Sequence, residues 1–226
     1  MLLPEYAYNF ELGLTKYLNK KKNYISIQGF TTLISRHNGR KNYPIFSDQT
    51  TSSNNTILYN GEELITLANN NLGNRYMLGT SLDGNIFFTD KISLKGDFNI
   101  INALKNDQYG PLPSISPVFL NLFLNYEKKK WFASLRYQYS GSKNPEEYSL
   151  GGEDGLEETP ILSESQGIYA GTPAWSELSF FTQFSWNENG KITIGLENIF
   201  DVHYRSFASG VSAPGRNLRL GLNLKF

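Results

Sequence analysis

The sequence predicts an all-β chain, an antiparallel transmembrane β-barrel of about nine strands, and three observations carry that expectation: apolar residues recur at every second position, connections alternate between short and long, and no segment has a capped helical period. Composition agrees with it. The 226 residues include 14 Tyr, 15 Phe and 3 Trp, an aromatic share of 14%, yet the mean hydropathy is −0.39. A membrane barrel shows only every second residue to lipid, so a hydrophilic average and many rings coexist in it. A disordered chain would lack the rings. With no Cys, disulfides and thiolate sites are excluded. The 21 basic and 21 acidic side chains cancel, which argues against a nucleic-acid partner, because phosphate neutralisation needs a concentrated excess of Lys and Arg. No run approaches the roughly 18 apolar residues of a spanning helix, and the first residues lack the pattern of a secretory signal.

From the N-terminus, the first three candidate strands, Tyr8 to Tyr17, Tyr24 to Ser35 and Tyr76 to Phe88, alternate loosely. Ile92, Leu94, Phe98 and Ile100 then oppose Ser93, Lys95, Asp97 and Asn99. Leu120, Leu122, Leu124 and Tyr126 oppose Asn121 and Asn125; Trp131, Ala133, Leu135, Tyr137 and Tyr139 oppose Ser134, Arg136 and Gln138. Leu178, Phe180, Phe184 and Trp186 face away from Ser179, Gln183 and Ser185, and Ile192, Ile194 and Leu196 from Thr193, Gly195 and Glu197. The ending is the clearest, with Leu218, Leu220, Leu222, Leu224 and Phe226 against Asn217, Arg219, Gly221, Asn223 and Lys225. Each strand has roughly ten residues, the length that crosses a bilayer at barrel tilt. Polar residues such as Arg136, Gln138, Gln183, Glu197 and Arg219 would line the lumen.

Tight turns are expected at Asn19 to Asn23, Thr89 to Lys91, Glu127 to Lys130 and Asn187 to Gly190. They alternate with long polar loops at about Arg36 to Asn74, Asn106 to Pro117, Gly141 to Ala174 and Asp201 to Gly215. Short turns on one rim and long loops on the other characterise outer-membrane barrels, with the long loops outside the cell. Tyr17, Tyr24, Phe87, Phe88, Tyr126, Trp131, Trp175, Trp186 and Phe226 lie at strand ends, as a membrane girdle requires.

Several stretches resemble the C-terminal part of a TonB-dependent outer-membrane receptor. They are Glu197-Asn198-Ile199-Phe200-Asp201-Val202-His203-Tyr204-Arg205, then Ala213-Pro214-Gly215-Arg216-Asn217-Leu218 and the terminal Phe226, which look like that family's ending. Pro4-Glu5-Tyr6-Ala7-Tyr8-Asn9-Phe10-Glu11-Leu12-Gly13 is similar to another of its strands, and Pro111-Leu112-Pro113-Ser114-Ile115-Ser116-Pro117 to one of its loops, with Ser116 in place of the usual first Pro. The resemblance implies a barrel of about 22 strands in the parent, of which residues 1–226 would supply an incomplete C-terminal part without plug, TonB box or signal peptide. It further implies import of a small-molecule nutrient of the iron-siderophore, haem or cobalamin type. The partners it implies are outer-membrane lipid, the missing strands and plug, the TonB complex acting through that plug, and the barrel assembly machinery reading Phe226. The fragment alone would not transport. The alternative is a small complete outer-membrane barrel acting as a passive pore or adhesin.

Catalysis has little to build on. His37 and His203 are the two histidines, no nucleophile-elbow Ser accompanies them, and no phosphate-cradling motif occurs, so neither an enzyme nor a cofactor or metal site is expected. Both histidines are expected in solvated loops, with His203 the candidate ligand contact that haem-importing relatives suggest. Tyr43, Tyr59, Tyr109, Tyr148, Tyr169 and Trp175 fall in long loops, where exposed rings could grip an amphipathic ligand. The Gly141 to Ala174 loop carries Glu146, Glu147, Glu153, Asp154, Glu157, Glu158 and Glu164 against the single base Lys143, and is expected to be a solvated acidic surface.

Overall fold

The computed structural model describes residues 1–18, 23–43, 56–104, 106 and 108–225. Among the described residues fifteen strands occur in chain order: β1 (Tyr6–Tyr17), β2 (Tyr24–Ser35), β3 (Asn38–Asn42), β4 (Thr56–Tyr59), β5 (Glu62–Ile65), β6 (Leu67–Asn71), β7 (Arg75–Phe87), β8 (Ile92–Ala103), β9 (Phe119–Lys128), β10 (Trp131–Ser140), β11 (Ile161–Ser163), β12 (Ile168–Tyr169), β13 (Trp175–Asn187), β14 (Gly190–Glu197) and β15 (Asn217–Leu224). Nine of them form one sheet in the order β1-β2-β7-β8-β9-β10-β13-β14-β15, and every pairing is antiparallel. The remaining six make three small hairpins, β3 with β6, β4 with β5 and β11 with β12, inside two stretches expected to be plain loops. The expected turn at Asn19 to Asn23 and the terminal Phe226 lie mostly or wholly outside the described residues.

Register carries one apolar face across the sheet. Leu218, Leu196, Phe180, Leu135, Leu124, Leu94 and Ile86 are successive partners from β15 to β7. Leu14, Ile27, Leu82, Phe98, Leu120 and Tyr139 run likewise from β1 to β10. In a soluble sheet such rows would be buried under another layer; here Leu14, Ile27, Leu82, Leu124, Leu135, Phe180 and Leu218 are all exposed. An apolar surface this continuous is stable only against hydrocarbon.

The opposite face is laced by side-chain hydrogen bonds between neighbouring strands. Gln28 donates to Glu11 at 3.0 Å, Ser81 to Asn99 at 2.7 Å, Asn121 to Asp97 at 2.9 Å and Gln138 to Asn121 at 2.7 Å. Arg219 meets Glu197 at 3.0 Å. The alternation is not pure, because Phe30, Phe123, Phe132 and Phe181 share this polar face, and Arg136 lies 5.3 Å from the Phe181 ring. Gly79 makes room for one of these rings: a Cβ there would collide with Phe30.

The girdle expectation holds only in part. Tyr126, Trp131 and Trp186 lie on the apolar side at the short-turn rim, where Trp131 packs 4.5 Å from Phe184. Tyr17, Tyr24 and Phe87 belong to the polar face, since Lys16, Ile25 and Ile86 occupy the alternate positions on the apolar one. Trp175 sits at the other rim and is buried. The buried hydrophobic residues among those described, Leu72, Leu112, Tyr148 and Trp175, all lie in or against the long loops, so the dry core sits there and not between sheet layers. Arginine replacing Leu124 should lower stability in a bilayer by about 2–4 kcal/mol, whereas Asn125→Arg on the polar face should change it little; urea unfolding from lipid vesicles reads the difference.

Candidate functional site

The long connections gather on one rim: a first loop at 36–74, a second at 104–118, a third at 141–174 and a fourth at 198–216. The third is their hub. Lys143, 4% exposed, donates to Asp154 at 3.1 Å and to the carbonyl of Ile115 in the second loop at 2.7 Å. Its ammonium lies 4.1 Å from the ring of Phe207 in the fourth loop and 5.1 Å from that of Tyr148. Asp154 in turn accepts the Ser114 N–H at 2.7 Å. Arg40 of β3 donates to the Gly151 carbonyl at 2.7 Å and faces Glu153 at 3.7 Å, and Arg205 of the fourth loop bonds the Glu158 carbonyl and meets its carboxylate at 3.9 Å. Arg40 from the first loop and Arg205 from the fourth thus clasp the acidic loop, and its own Lys143 holds the second.

The solvated acidic surface is corrected at one position: Asp154 is buried against Lys143, while Glu146, Glu147, Glu153, Glu157, Glu158 and Glu164 are exposed, Glu147 accepting the Asn144 N–H at 2.8 Å and Glu153 accepting from Ser149 at 2.9 Å. Among the described residues no three His, Asp or Glu side chains converge as a metal cluster. Gly171, at φ 74°, passes so close to the Lys143 carbonyl that a side chain could not fit, and lets Lys143 and Thr172 pair as an isolated bridge. Tyr148 shares a 2.6 Å hydrogen bond with Thr172. Burial pushes the Lys143 ammonium below the usual lysine value, with Asp154 opposing the change, and pushes the Tyr148 phenol upward.

The closing motif is a stitch. Asn198, at φ 48°, donates through its side chain to the carbonyls of Val202 at 2.9 Å and Pro214 at 3.1 Å, and accepts the Val202 N–H at 2.8 Å. One buried amide thus joins both ends of the fourth loop. Asp201 accepts the Arg216 N–H at 2.7 Å, and a Cβ on Gly215 would come within 2.6 Å of that carboxylate. The Asn198 N–H donates to Glu177 at 2.8 Å and to Ser179 at 3.2 Å, and Arg136 faces Glu177 at 3.4 Å, anchoring the stitch to the polar face of the wall. Tyr204 stacks on Trp175 with ring centroids 4.0 Å apart, and burial raises its phenol, with Glu177 adding to the effect. Phe200 is exposed.

The proposed ring set divides. Tyr43 and Tyr59 are exposed, Tyr59 closing the β4–β5 hairpin, while Tyr109 and Tyr169 are half-buried. Tyr148 and Trp175 are packing residues, 5% and 8% exposed. His203 is exposed and within 3.0 Å of Ser212, as a loop histidine should be. His37 corrects the expectation: it is buried and sits 3.0 Å from Glu5. Trp175, Tyr204, His203 and Arg205 line a cavity of about 300 Å³ together with Glu158, Thr159 and Pro160. It is of a size for a small organic ligand or part of a larger one. Tyr43, Tyr59, Tyr109, Tyr148 and Tyr169 are not among its walls. The clasping residues Arg40, Lys143 and Arg205 escaped sequence reasoning; the one available hint was Lys143 standing alone among seven acids.

No family model matches the chain, and no curated protein does. Solved structures do. The copper transporter OprC matches with a TM-score of 0.71 at 16% identity, over 100% of this chain and 32% of its own. The ferric enterobactin receptor PfeA of Pseudomonas aeruginosa gives 0.70 at 16% over 98% and 31%, and the siderophore receptor PirA of Acinetobacter baumannii 0.69 at 16% over 100% and 32%. The chain therefore spans about a third of the length of these proteins. In fold it is a wall segment of a large transmembrane β-barrel. More narrowly, the fold is that of the C-terminal barrel part of TonB-dependent receptors.

Lys143→Met, which strands the Asp154 carboxylate, should loosen the loop assembly by about 3–5 kcal/mol, and the double change with Asp154→Leu should recover much of it; protease susceptibility of the loops measures both. The phenols of Tyr148 and Tyr204 are raised above the ordinary tyrosine value of 10.0, so the folded loops keep protons that the unfolded chain releases. Their contribution is whole below pH 10 and falls as the pH climbs through the raised values, which phenolate absorbance and loop proteolysis should report together.

Proposed function

We propose that these residues are the C-terminal portion of the barrel of a TonB-dependent outer-membrane receptor, whose parent function is energy-coupled import of a scarce nutrient of the iron-siderophore, haem or cobalamin type. The observation that carries this reading is the direction of the two edge strands. Tyr6 pairs with Ser35 beside the first loop, so β1 runs away from the long-loop rim, and β15 descends from the fourth loop in the same direction. Closing β1 on β15 would create a parallel seam in a wall that is otherwise antiparallel throughout. Antiparallel closure needs an odd number of further strands, which favours an incomplete wall over a small complete pore or adhesin.

In this reading the apolar face meets outer-membrane lipid, the polar face meets a plug, and the clasped loops form the outer vestibule. The TonB complex acts through the plug, and the assembly machinery reads the C-terminal strand. The neighbours are named as receptors for ferric siderophores and as a copper transporter, which supports a metal-bearing nutrient. Trp175, Tyr204, His203 and Arg205 offer stacking and hydrogen-bonding contacts to it. The wall supplies no energy coupling of its own. Refolded alone in detergent, the 226-residue chain should give neither a heat-modifiable monomer on a gel nor conductance steps in a planar bilayer. A heat-modifiable monomer that conducts would establish the complete pore instead.

A further inference from the structure

The neutral total of charge conceals a polarised chain. The four long connections hold twelve acidic side chains against seven basic ones. The opposite rim is basic: among the described residues, six exposed lysines stand in or beside the short turns against three acids, Asp90, Glu127 and Glu188. Lys91 belongs to the β7–β8 turn and Lys128, Lys129 and Lys130 to the β9–β10 turn, while Lys16 and Lys225 stand at the ends of β1 and β15. Pairing every one of those acids would still leave three positive charges. The residues outside the described ones do not cancel them, since 19–22 and 226 include no acidic side chain and Asp48 and Asp107 belong to long connections.

Backbone contacts join these turns side by side. The Lys91 carbonyl accepts the Glu127 N–H at 2.8 Å, the Lys130 carbonyl accepts the Ser185 N–H at 2.8 Å, and the Lys225 N–H donates to the Asn189 carbonyl at 2.8 Å. The Lys130 ammonium donates to the Trp186 carbonyl at 2.6 Å, and Lys129, at φ 49°, forms the tip of its turn. Two of the six lysines occupy positions of the apolar face. Lys16 follows Leu14 there and Lys128 follows Tyr126, so each stands one alternate position beyond the lipid-facing row. Tyr126, Trp131 and Trp186 lie on the same side at the same rim. A lysine so placed keeps its methylenes along hydrocarbon and carries its ammonium out to the headgroups. The wall itself therefore sets these charges at the level where lipid headgroups begin.

We propose that the short-turn rim is a binding surface for the headgroups of anionic phospholipid in the leaflet it meets, gathering lipids of the phosphatidylglycerol type around this end of the wall. The inference rests on the lipid-facing wall and not on import, so it applies equally to a receptor segment and to a small pore. Charge selects the sign of the headgroup, because each lysine near an anionic surface strengthens the attraction about fivefold. Continuity with the apolar face selects a lipid over a soluble acidic protein. Such a protein would meet the turn tips only, and Lys16 and Lys128, beside hydrocarbon, would lie out of its reach.

Trp131 and Trp186 serve as reporters, since both lie on the apolar side at this rim. The full 226-residue chain is inserted into vesicles of phosphatidylcholine and phosphatidylglycerol in equal parts, with bromine on the acyl chains of one lipid or of the other, and the quenching of tryptophan fluorescence is compared. Composition and surface charge are the same in both vesicles, so a difference reads local enrichment. Quenching at low salt should correspond to a preference of about fivefold for phosphatidylglycerol, falling toward none at molar salt, where the screening length is about 3 Å. Lys16→Gln, Lys128→Gln and Lys129→Gln made together should lower the preference, whereas Lys41→Gln on the far rim should leave it unchanged. Equal quenching by the two lipids for the wild type at low salt would overturn the proposal and leave the lysines to water or to an acidic soluble partner. A preference that survives molar salt, or the triple change, would overturn it as well. Quenching by neither lipid would remove the lipid-facing wall and the proposal with it, an outcome distinct from the others, which leave that wall in place.

Discussion

Everything in this chain follows from the requirement that backbone N–H and C=O groups be paired wherever water is absent. A sheet meets it strand by strand, and the antiparallel ladders from β1 to β15 do so across the wall. Once the ladders are set, side chains have only two directions to point. The apolar row from Leu218 to Ile86 and the polar lattice of Gln138, Asn121 and Asp97 are the two consequences of one register. A shift of one residue would exchange them, which is why the pairing is uninterrupted through most of the sheet.

Stabilisation is divided between rims and wall. The wall buries little against itself, since its apolar face has lipid for a solvent. The dry packing lies under the long loops, where Lys143 and Asp154 bind the second loop to the third, Arg40 binds the first to it and Arg205 binds the fourth. Asn198 ties that assembly to Glu177 and Ser179 of the wall. The family-like ending is thus explained by geometry: an asparagine at positive φ, an aspartate receiving the Arg216 N–H, and a glycine where a side chain would strike that aspartate.

The wall was legible in the sequence because alternation is local. Nine strands, their order, and the sorting of connections all follow from periods of two and the positions of turn residues, and the boundaries differ by a residue or two, as at β7, which starts at Arg75 rather than Tyr76. The loops were not legible because their partners are distant. Arg40 reaches Gly151 across 111 positions and Arg205 reaches Glu158 across 47, separations that no window of sequence spans. His37 was misplaced for the same reason, its partner Glu5 lying on the far side of a whole hairpin. Phe30, Phe123, Phe132 and Phe181 broke the polar pattern without betraying it, because the alternating positions around them still read correctly.

The β4–β5 hairpin has its own short ladder, separate from the wall, with Tyr59 exposed at its end. No cation of the clasp originates in it. Mutations there can accumulate without loosening Lys143 or Asn198, so this hairpin is where a lineage could change what its outer surface recognises, by a host, a phage or a new ligand, while the architecture beneath stays inherited.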